Sequence, residues 1–169
     1  VNNFLAKHYD RFTTQYPELS DISFEQFKNS AQRLAANVRK IESDNRNVPL
    51  GGNNAGSSAT GKYQFLRDSV EPAINRTLRR VEPQDKNIFD SIRENKDTSK
   101  LNDEAQQLLF FGDIFEKTGS DKHLVPYFLG DEQAGKNVYL YQHHTLSSKV
   151  PEYNQETIDR TNKLWNSPE

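Results

Sequence analysis

The clearest pattern of apolar positions lies between residues 24 and 41. There the apolar residues recur at spacings of three and four: Phe24, Phe27, Ala31, Leu34, Val38 and Ile41. This is the period of one face of an α-helix. Just before it, Ser23 and Gln26 have the spacing of a capping box, in which each side chain bonds the backbone N–H of the other residue. The pattern predicts a helix over 24–43 with one buried face.

The first twenty residues carry spaced aromatic residues, which predict a short helix that packs against the rest of the chain. Pro17 restricts the residue before it and ends the pattern. A chain of 169 residues fits one domain readily and two only with difficulty. We therefore expect an N-terminal helical arm over 1–20, followed by the main domain over 21–169.

Several further segments have the composition and the end signals of helices. Asp68 or Ser69 is the expected cap of one of them, with Pro72 tolerated in its first turn. Asn102 is expected to cap another, and Gly119 to stop it. The predicted helices span residues 68–81, 83–95, 103–118, 121–129, 131–143 and 151–165.

The segment 44–58 has no apolar period and contains Pro49 and three glycines. It predicts an irregular loop of about fifteen residues, and loops of that length in compact domains are usually functional or disordered. No run of alternating apolar residues predicts a large sheet. The predicted fold class is therefore mainly α, and 53–64 is the one segment where a small β-hairpin is expected.

Composition narrows the function classes. The chain has 22 basic and 24 acidic residues and a formal net charge of −2, so it lacks the basic stripe typical of nucleic-acid-binding proteins. No apolar stretch approaches the roughly 18 to 20 residues that span a bilayer, and the first residues lack a signal-peptide pattern. The absence of cysteine excludes disulfides, Cys-ligated zinc and thiol nucleophiles. We expect neither nucleic acid nor a membrane as partner and, because the chain begins at Val1 and has no Met, excision from a longer protein.

Glu42 is the strongest candidate for chemistry. At about 100° per residue it lies about 40° from Val38 around the helix, over the apolar stripe. Burial and the negative end of the helix dipole both favour the protonated form of a carboxyl group. A general acid that donates a proton to a glycosidic oxygen near neutral pH needs this form. The alternative is a helix-end Glu that turns outward to solvent.

Two other features invite interpretation as sites. His143 and His144 are adjacent, and adjacent residues on a helix diverge by about 100°, while no acid or His four residues on completes a chelating face. Gly51 and Gly52 do not belong to a phosphate-binding loop, because neither of the glycine-rich phosphate motifs is present. The sequence therefore predicts no metal and no cofactor.

Three motifs occur in an order that resembles a known family. Glu42 and Ser43 stand at a helix end, and the segment 58–65 follows across the loop with the sequence SATGKYQF. This is similar to the lytic transglycosylases, in which a Glu-Ser pair at a helix end precedes a Ser-x-x-Gly-x-x-Gln motif. The sequence YFLG at 127–130, followed by a helix with small residues, resembles a third motif of phage-borne members. The resemblance covers roughly residues 23–141.

The resemblance implies a lysozyme-like, mostly helical fold with a groove for a β-1,4-linked strand of N-acetylmuramic acid and N-acetylglucosamine. It implies that Glu42 is the single acid and base, which protonates the bridging oxygen and then removes a proton from the muramoyl 6-hydroxyl to give a 1,6-anhydro end. For Tyr127 the alternatives are a hydrogen bond to the Glu42 carboxyl and an ordinary place in the core. The substrate-binding residues that the resemblance implies are Ser43, Ser58, Gly61, Tyr63, Gln64 and Tyr127.

The chain also departs from the family pattern. Lys62 and Tyr63 stand where many members have Ala or Leu followed by Met, and Phe128 stands where cellular members have Asn. These departures point to a phage-type branch, and so to part of a larger virion or secretion-machine protein. The expected location is a phage virion or tail, or the periplasm or cell exterior, with action on the cell wall. A basic cluster, interpreted as a solvated face that could meet anionic cell-wall polymers, is formed by Arg76, Arg79 and Arg80.

Two alternatives stay open. A hydrolytic muramidase that resembles goose-type lysozymes needs a second carboxylate to activate water. Asp44 points away from Glu42 on a continued helix, and Asp68 is interpreted as a cap, which favours a transglycosylase. A distant acid such as Asp113 or Asp131 could still fold into the groove. The other alternative is a non-catalytic module that binds glycan or serves as a structural part of a virion.

Overall fold

The computed structural model describes residues 1–53, 56–146 and 151–168. Asn54 and Ala55, which belong to the predicted loop and hairpin segments, lie outside the described residues. Helices and short 3-10 turns account for the regular structure of the described part, so the predicted mainly α class is confirmed. The α-helices are α1 (Asn2–Gln15), α2 (Phe24–Ser43), α3 (Arg67–Leu78), α4 (Asp103–Phe115), α5 (Asp121–Phe128), α6 (Glu132–Asn137) and α7 (Pro151–Leu164).

Helix α2 matches its prediction in extent and in its cap. Ser23 Oγ accepts a hydrogen bond from the Gln26 backbone N at 3.1 Å, and Gln26 Oε1 accepts one from the Ser23 backbone N at 2.8 Å. Asp44 ends the helix in a left-handed conformation with φ of 55°. The buried apolar face consists of Phe27, Ala31, Leu34, Ala35, Val38 and Ile41.

An aromatic core joins the N-terminal helix to the helices that follow. Phe12 of α1 lies 5.9 Å from Phe27 of α2 and 5.6 Å from Phe128 of α5, measured between ring centroids. Phe115 at the end of α4 lies 5.9 Å from Phe12 and 6.0 Å from Phe27. Burying several large rings in one cluster supplies a large share of the hydrophobic stabilisation. The predicted helix within 1–20 therefore forms and packs into the same core as α2.

The expected hairpin does not form as strands in the described residues. Two isolated antiparallel bridges, Val48 with Gly61 and Thr60 with Phe65, are the β structure there. The backbone at Gly61 and Gln64 has φ of 75° and 54°, which is a left-handed conformation and not an extended one. The segment is a bridged turn that follows the loop.

Two helix predictions need correction. Helix α3 begins at Arg67, so Asp68 lies in its first turn without capping it, and Pro72 lies in the second turn. Residues 83–95 do not form an α-helix; they contain the 3-10 turns Pro83–Asp85 and Asp90–Ile92. The buried Phe89 and Ile92 are three residues apart, and 3-10 geometry places such residues on one face.

The segment after α6 is helical as expected, but with a wider turn. Residues Val138–His143 form a π-helix, in which the His144 backbone N bonds the Tyr139 carbonyl oxygen at 2.8 Å. Such turns bring residues five apart onto one side and often occur at functional sites. In the described part of the chain no helix is both long and apolar enough to cross a membrane.

Candidate active site

A cavity of about 540 Å³ opens beside the end of α2. Helices α3 and α4, the turn that follows the loop and the π-helix supply its other walls. Aromatic and apolar residues such as Phe65 and Pro72 also line it. Its ionisable lining residues are Glu42, Asp68, Arg76, Asp113, Lys117, His143, His144 and Tyr153.

Glu42 lies on the cavity wall, with its side chain 12% exposed. One of its carboxyl oxygens, Oε1, accepts a hydrogen bond from the Tyr139 hydroxyl and lies 3.2 Å from Nδ1 of His144. Oε2 has no hydrogen-bond partner among residues 1–53, 56–146 and 151–168. The structure thus holds one oxygen of a largely buried carboxyl and leaves the other for a ligand, and Glu42 does not turn outward to solvent.

The groups that hold Glu42 come from the π-helix and from α7. Burial and, after it, the Glu42 carboxylate raise the pKa of the Tyr139 phenol, so its hydroxyl stays protonated and donates. On the other side of the His144 ring, Nε2 lies 3.1 Å from the Tyr153 hydroxyl. If Tyr153 donates to Nε2, the ring proton of a neutral His144 is on Nδ1 and points at Glu42. These bonds fix the position of the carboxyl group.

A second carboxylate, Asp113 of α4, lies in the same cavity but is bound to cations. Its Oδ1 accepts a hydrogen bond from Nη1 of Arg76 at 3.1 Å and lies 4.0 Å from Nζ of Lys117. Its Oδ2 lies 3.3 Å from Nδ1 of His143. Both Asp113 and His143 are at most 5% exposed. Asp113 is therefore a buried structural anion.

His143 is held as a cation by these contacts. Its Nε2 lies 2.7 Å from the carbonyl oxygen of Tyr63, which can only accept, so this nitrogen carries a proton. Burial alone lowers the pKa of the imidazole, but the hydrogen bond and charge of Asp113, together with Glu42 and the Tyr63 carbonyl, outweigh it and raise that pKa. His143 and Asp113 thus form a buried ion pair, and removing one member of such a pair strongly destabilises a protein.

Close packing of α3 on α4 creates this arrangement. A Cβ atom placed on Gly112 would lie 1.8 Å from Thr77 Oγ1 and 2.7 Å from the Thr77 Cα atom. Only a residue without a side chain therefore allows this approach of the two helices. Arg76 directly precedes Thr77, and Asp113 directly follows Gly112, so the contact brings this pair within hydrogen-bonding distance.

Gln64 is the other predicted site residue that lines the cavity. Its Nε2 donates to the Gly61 carbonyl oxygen at 2.9 Å, and its Oε1 accepts from Nδ2 of Asn53 at 2.9 Å. These two bonds join the turn to the loop and hold the amide beside the cavity. Gly61 itself packs below the surface, because a Cβ there would lie 2.4 Å from Thr98 Oγ1.

Three further predicted residues support the site without lining the cavity. Ser43 Oγ donates to the carbonyl oxygen of Lys62 at 2.7 Å, which fastens the turn to the end of α2. Ser58 Oγ accepts from the backbone N of Arg67 at the start of α3. Tyr63 is 1% exposed, and its hydroxyl accepts from Arg39 at 2.7 Å, away from the cavity lining. Their side chains position the cavity walls.

Tyr127 does not reach Glu42. It is 1% exposed and donates to the carbonyl oxygen of Ser30 at 2.6 Å, within the core. Gly135 packs against its ring, since a Cβ there would lie 2.5 Å from Tyr127 Cδ1. Of the two alternatives for Tyr127, the core position is the correct one, and Tyr139 provides the phenol that Glu42 accepts from.

Sequence interpretation missed most of the groups around Glu42. The adjacent His143 and His144 diverge and face different carboxylates, Asp113 and Glu42, which are roles that the sequence did not indicate. Arg76 was assigned to a solvated face, yet it is half-buried on Asp113.

Within the described ranges, no three His, Cys, Asp or Glu side chains cluster in a way that would hold a metal ion. Comparisons with family models, with curated proteins and with solved structures give no match to this chain. Chemically, the cavity offers the positioned carboxyl of Glu42, whose Oε2 is unbonded within the described residues, the carboxylate of Asp113 bound by basic residues, and the exposed carboxylate of Asp68. Amide and hydroxyl groups also line it. Such a set suits proton transfer to and from a polar ligand.

Proposed function

We propose that this chain is a lytic transglycosylase that cleaves the β-1,4 bond between N-acetylmuramic acid and N-acetylglucosamine in peptidoglycan, with a lysozyme-like fold. Glu42 is the single acid and base. The observation that carries the proposal is the placement of Glu42 on a 540 Å³ cavity, with Oε1 held by Tyr139 and His144 and with Oε2 unbonded in the described residues. The order of the three motifs that resemble the family supports the same assignment.

In the first step the Glu42 carboxyl donates its proton to the bridging oxygen, and the bond between that oxygen and the muramoyl anomeric carbon breaks. The substrate's own acetamido group stabilises the positive charge on that carbon. In the second step the Glu42 carboxylate removes the proton of the muramoyl 6-hydroxyl, and the oxygen of that hydroxyl bonds the anomeric carbon. The proton that Glu42 gave up is thereby restored, and no water enters the product.

The environment of Asp113 supports the single-carboxylate route. A carboxylate that activates water must be able to take up a proton, and hydrogen bonds with cations oppose this. Asp113 is bound by Arg76 and His143 and is 5% exposed. Asp131 caps α6, accepting a hydrogen bond from the Ala134 backbone N, and does not line the cavity. Asp113 is therefore already bound by two basic residues, and Asp131 lies outside the cavity.

One specific observation supports the alternative function, a hydrolytic muramidase. Asp68 is exposed, lines the same cavity as Glu42 and makes no capping bond. A second, exposed carboxylate on the same cavity would supply the general base that an inverting glycosidase needs. Asp68→Asn then discriminates the two mechanisms, because it abolishes hydrolysis and leaves a transglycosylase active.

The test is digestion of purified sacculi with analysis of the soluble fragments by mass spectrometry. The expected products end in 1,6-anhydromuramic acid, which is one water lighter than an ordinary reducing end. Glu42→Gln should lower the rate by at least about 100-fold, as expected for the loss of a general acid. Asp44→Asn is the matched control, because Asp44 is exposed two residues further on and does not line the cavity.

Each outcome has a distinct meaning. Products with reducing ends that are lost in Asp68→Asn would show that the protein is a muramidase and not a transglycosylase. Binding to sacculi without any soluble product from the wild-type protein would replace the enzyme by a glycan-binding module. Full activity of a folded Glu42→Gln protein would contradict the assignment of the acid.

A further inference from the structure

Three basic side chains converge on one carboxylate in the wall of the cavity. Arg76, Lys117 and His143 surround the single carboxylate of Asp113. The imidazole of His143 donates through Nε2 to the Tyr63 carbonyl while its Nδ1 faces the Asp113 carboxylate, and the two contacts together support the cationic form. Three basic side chains thus converge on the buried Asp113, and the cavity lining also contains the acids Glu42 and Asp68.

The two long cations are more accessible than the carboxylate that they share. Arg76 and Lys117 are each 25% exposed in their side chains, and Asp113 is 5% exposed. Arg76 bonds Asp113 through Nη1, and its Nε and Nη2 make no hydrogen bond within the described residues. Lys117 donates to the Gln142 carbonyl oxygen at 2.5 Å and has further donors on Nζ. The pair therefore presents donors to the cavity after Asp113 has been satisfied.

A guanidinium whose Nε and Nη2 make no hydrogen bond within the described residues, together with a neighbouring ammonium, suits a planar anion, above all a carboxylate. Both lie on the cavity where Glu42 would meet the glycosidic bond. In peptidoglycan a carboxylate occurs on the muramic acid next to that bond. It is the free lactyl carboxylate in peptide-free strands and belongs to the stem peptide in substituted strands.

We propose that Arg76 and Lys117, backed by the cation of His143, form a subsite for a carboxylate carried by the muramic acid residue of the glycan. This inference rests on the proposed function, because it names the part of that substrate that the cavity distinguishes. His143 contributes charge, since both of its ring nitrogens are engaged by protein groups. The subsite selects glycans that carry a carboxylate over neutral glycans of the same linkage.

The test measures equilibrium binding to the Glu42→Gln protein, which prevents turnover, by calorimetric titration. Three ligands are compared: a neutral tetramer of N-acetylglucosamine, peptide-free glycan strands with lactyl carboxylates, and strands with stem peptides. Lys117→Gln is the main variant and Lys117→Arg its charge-conserving partner. Arg76→Gln tests the second cation, and Arg79→Gln is the matched control, because Arg79 is exposed directly after α3 and does not line the cavity.

Lys117→Gln should weaken binding of a carboxylate-bearing strand about fivefold to tenfold, as expected for one partly exposed charged hydrogen bond. Binding of the neutral tetramer should be unchanged, and Lys117→Arg should bind like the parent. The strand type that shows the dependence identifies the source of the carboxylate. Increasing salt should reduce the difference, because the contact is partly exposed.

The subsite is overturned if neither carboxylate-bearing strand binds, if Lys117→Gln changes nothing, or if it weakens the neutral tetramer equally. A weakening of equal size in Arg79→Gln would also overturn it. Cleavage by wild-type protein is measured separately. Charge-dependent binding without products would support the subsite and contradict the transglycosylase. Products without charge-dependent binding would support the transglycosylase and contradict the subsite.

Discussion

Two carboxylates of one cavity have opposite surroundings. Glu42 is held by a phenol and an imidazole on Oε1, with Oε2 unbonded in the described part of the chain. Asp113 is bound on both oxygens, by Arg76 and by His143. A carboxyl that must give and regain a proton cannot be locked into its charged form, whereas one that anchors cations must be.

The comparison shows that burial alone does not identify a catalytic acid. Asp113 is more buried than Glu42, with 5% and 12% of the side chain exposed. The partners differ, because Asp113 is bound by the guanidinium of Arg76 and faces His143, whereas Glu42 accepts from the phenol of Tyr139 and lies beside His144. Each of the following predictions changes one side of this comparison.

The largest effect is expected for Asp113→Asn, which removes the anion and leaves His143 buried without its counter-charge. The free energy of unfolding should fall by about 3 kcal/mol or more at pH 6, as is typical when one member of a buried pair is removed. The loss should be smaller at pH 8, where the imidazole can become neutral. Denaturant unfolding of both proteins at the two pH values measures this.

Asp68→Asn is the control for that change, because Asp68 lines the same cavity but is exposed. Its unfolding free energy should differ from wild type by less than about 0.5 kcal/mol. Equal stability of Asp113→Asn and wild type at pH 6 would contradict the structural role of Asp113.

Gly112→Ala should be the next most severe change. The new Cβ would lie 1.8 Å from Thr77 Oγ1, so α3 and α4 must separate. We expect a loss of about 2 kcal/mol in unfolding free energy, as for other overpacked contacts, together with a weaker pairing of Arg76 with Asp113. Thermal and denaturant unfolding measure it, with the exposed Glu104→Ala on the same helix as control. A fully stable Gly112→Ala protein would refute the tight contact.

Tyr139→Phe acts on the other carboxylate. It removes the donor to Glu42 Oε1 and keeps the buried ring. Turnover on sacculi should fall about tenfold, which corresponds to about 1.4 kcal/mol in transition-state free energy. Tyr127→Phe is the matched control, because it loses a hydrogen bond to the Ser30 carbonyl outside the cavity. Tyr127→Phe should lose about 1 kcal/mol of stability and keep the turnover of the wild-type protein. Equal turnover of the two variants would show that Tyr139 has no part in the site.

The smallest perturbation is a change of pH. The pKa of His143 is raised, because the hydrogen bond and charge of Asp113 outweigh the lowering effect of burial. The stability that this pair contributes is therefore complete below about pH 6.5, the unfolded value, and is lost as the pH rises through the higher pKa of the folded protein. NMR titration of the His143 ring protons measures that pKa, and a midpoint at or below about 6.5 would be inconsistent with the ion pair.

Much of the helical framework could be predicted because its signals are local. The capping box of Ser23 with Gln26, and the cap that Asn102 provides to Ala105 N at 2.8 Å, each involve residues three apart. Asp68 shows the limit of such signals. It has the residue type and place of a cap, yet α3 begins one residue earlier, so its carboxylate lies on the cavity wall instead.

The sequence by itself determined that Glu42 ends an amphipathic helix on its apolar side, since periodicity and capping act within a few residues. Only the tertiary structure decided what Glu42 meets. Tyr139 and His144 are 97 and 102 residues away in the chain, and a π-turn places both beside the carboxyl group. The pairing of Asp113 with Arg76 likewise depends on the approach of α3 to α4 at Gly112. Contacts between distant residues follow from how the helices pack, and no local pattern encodes that packing.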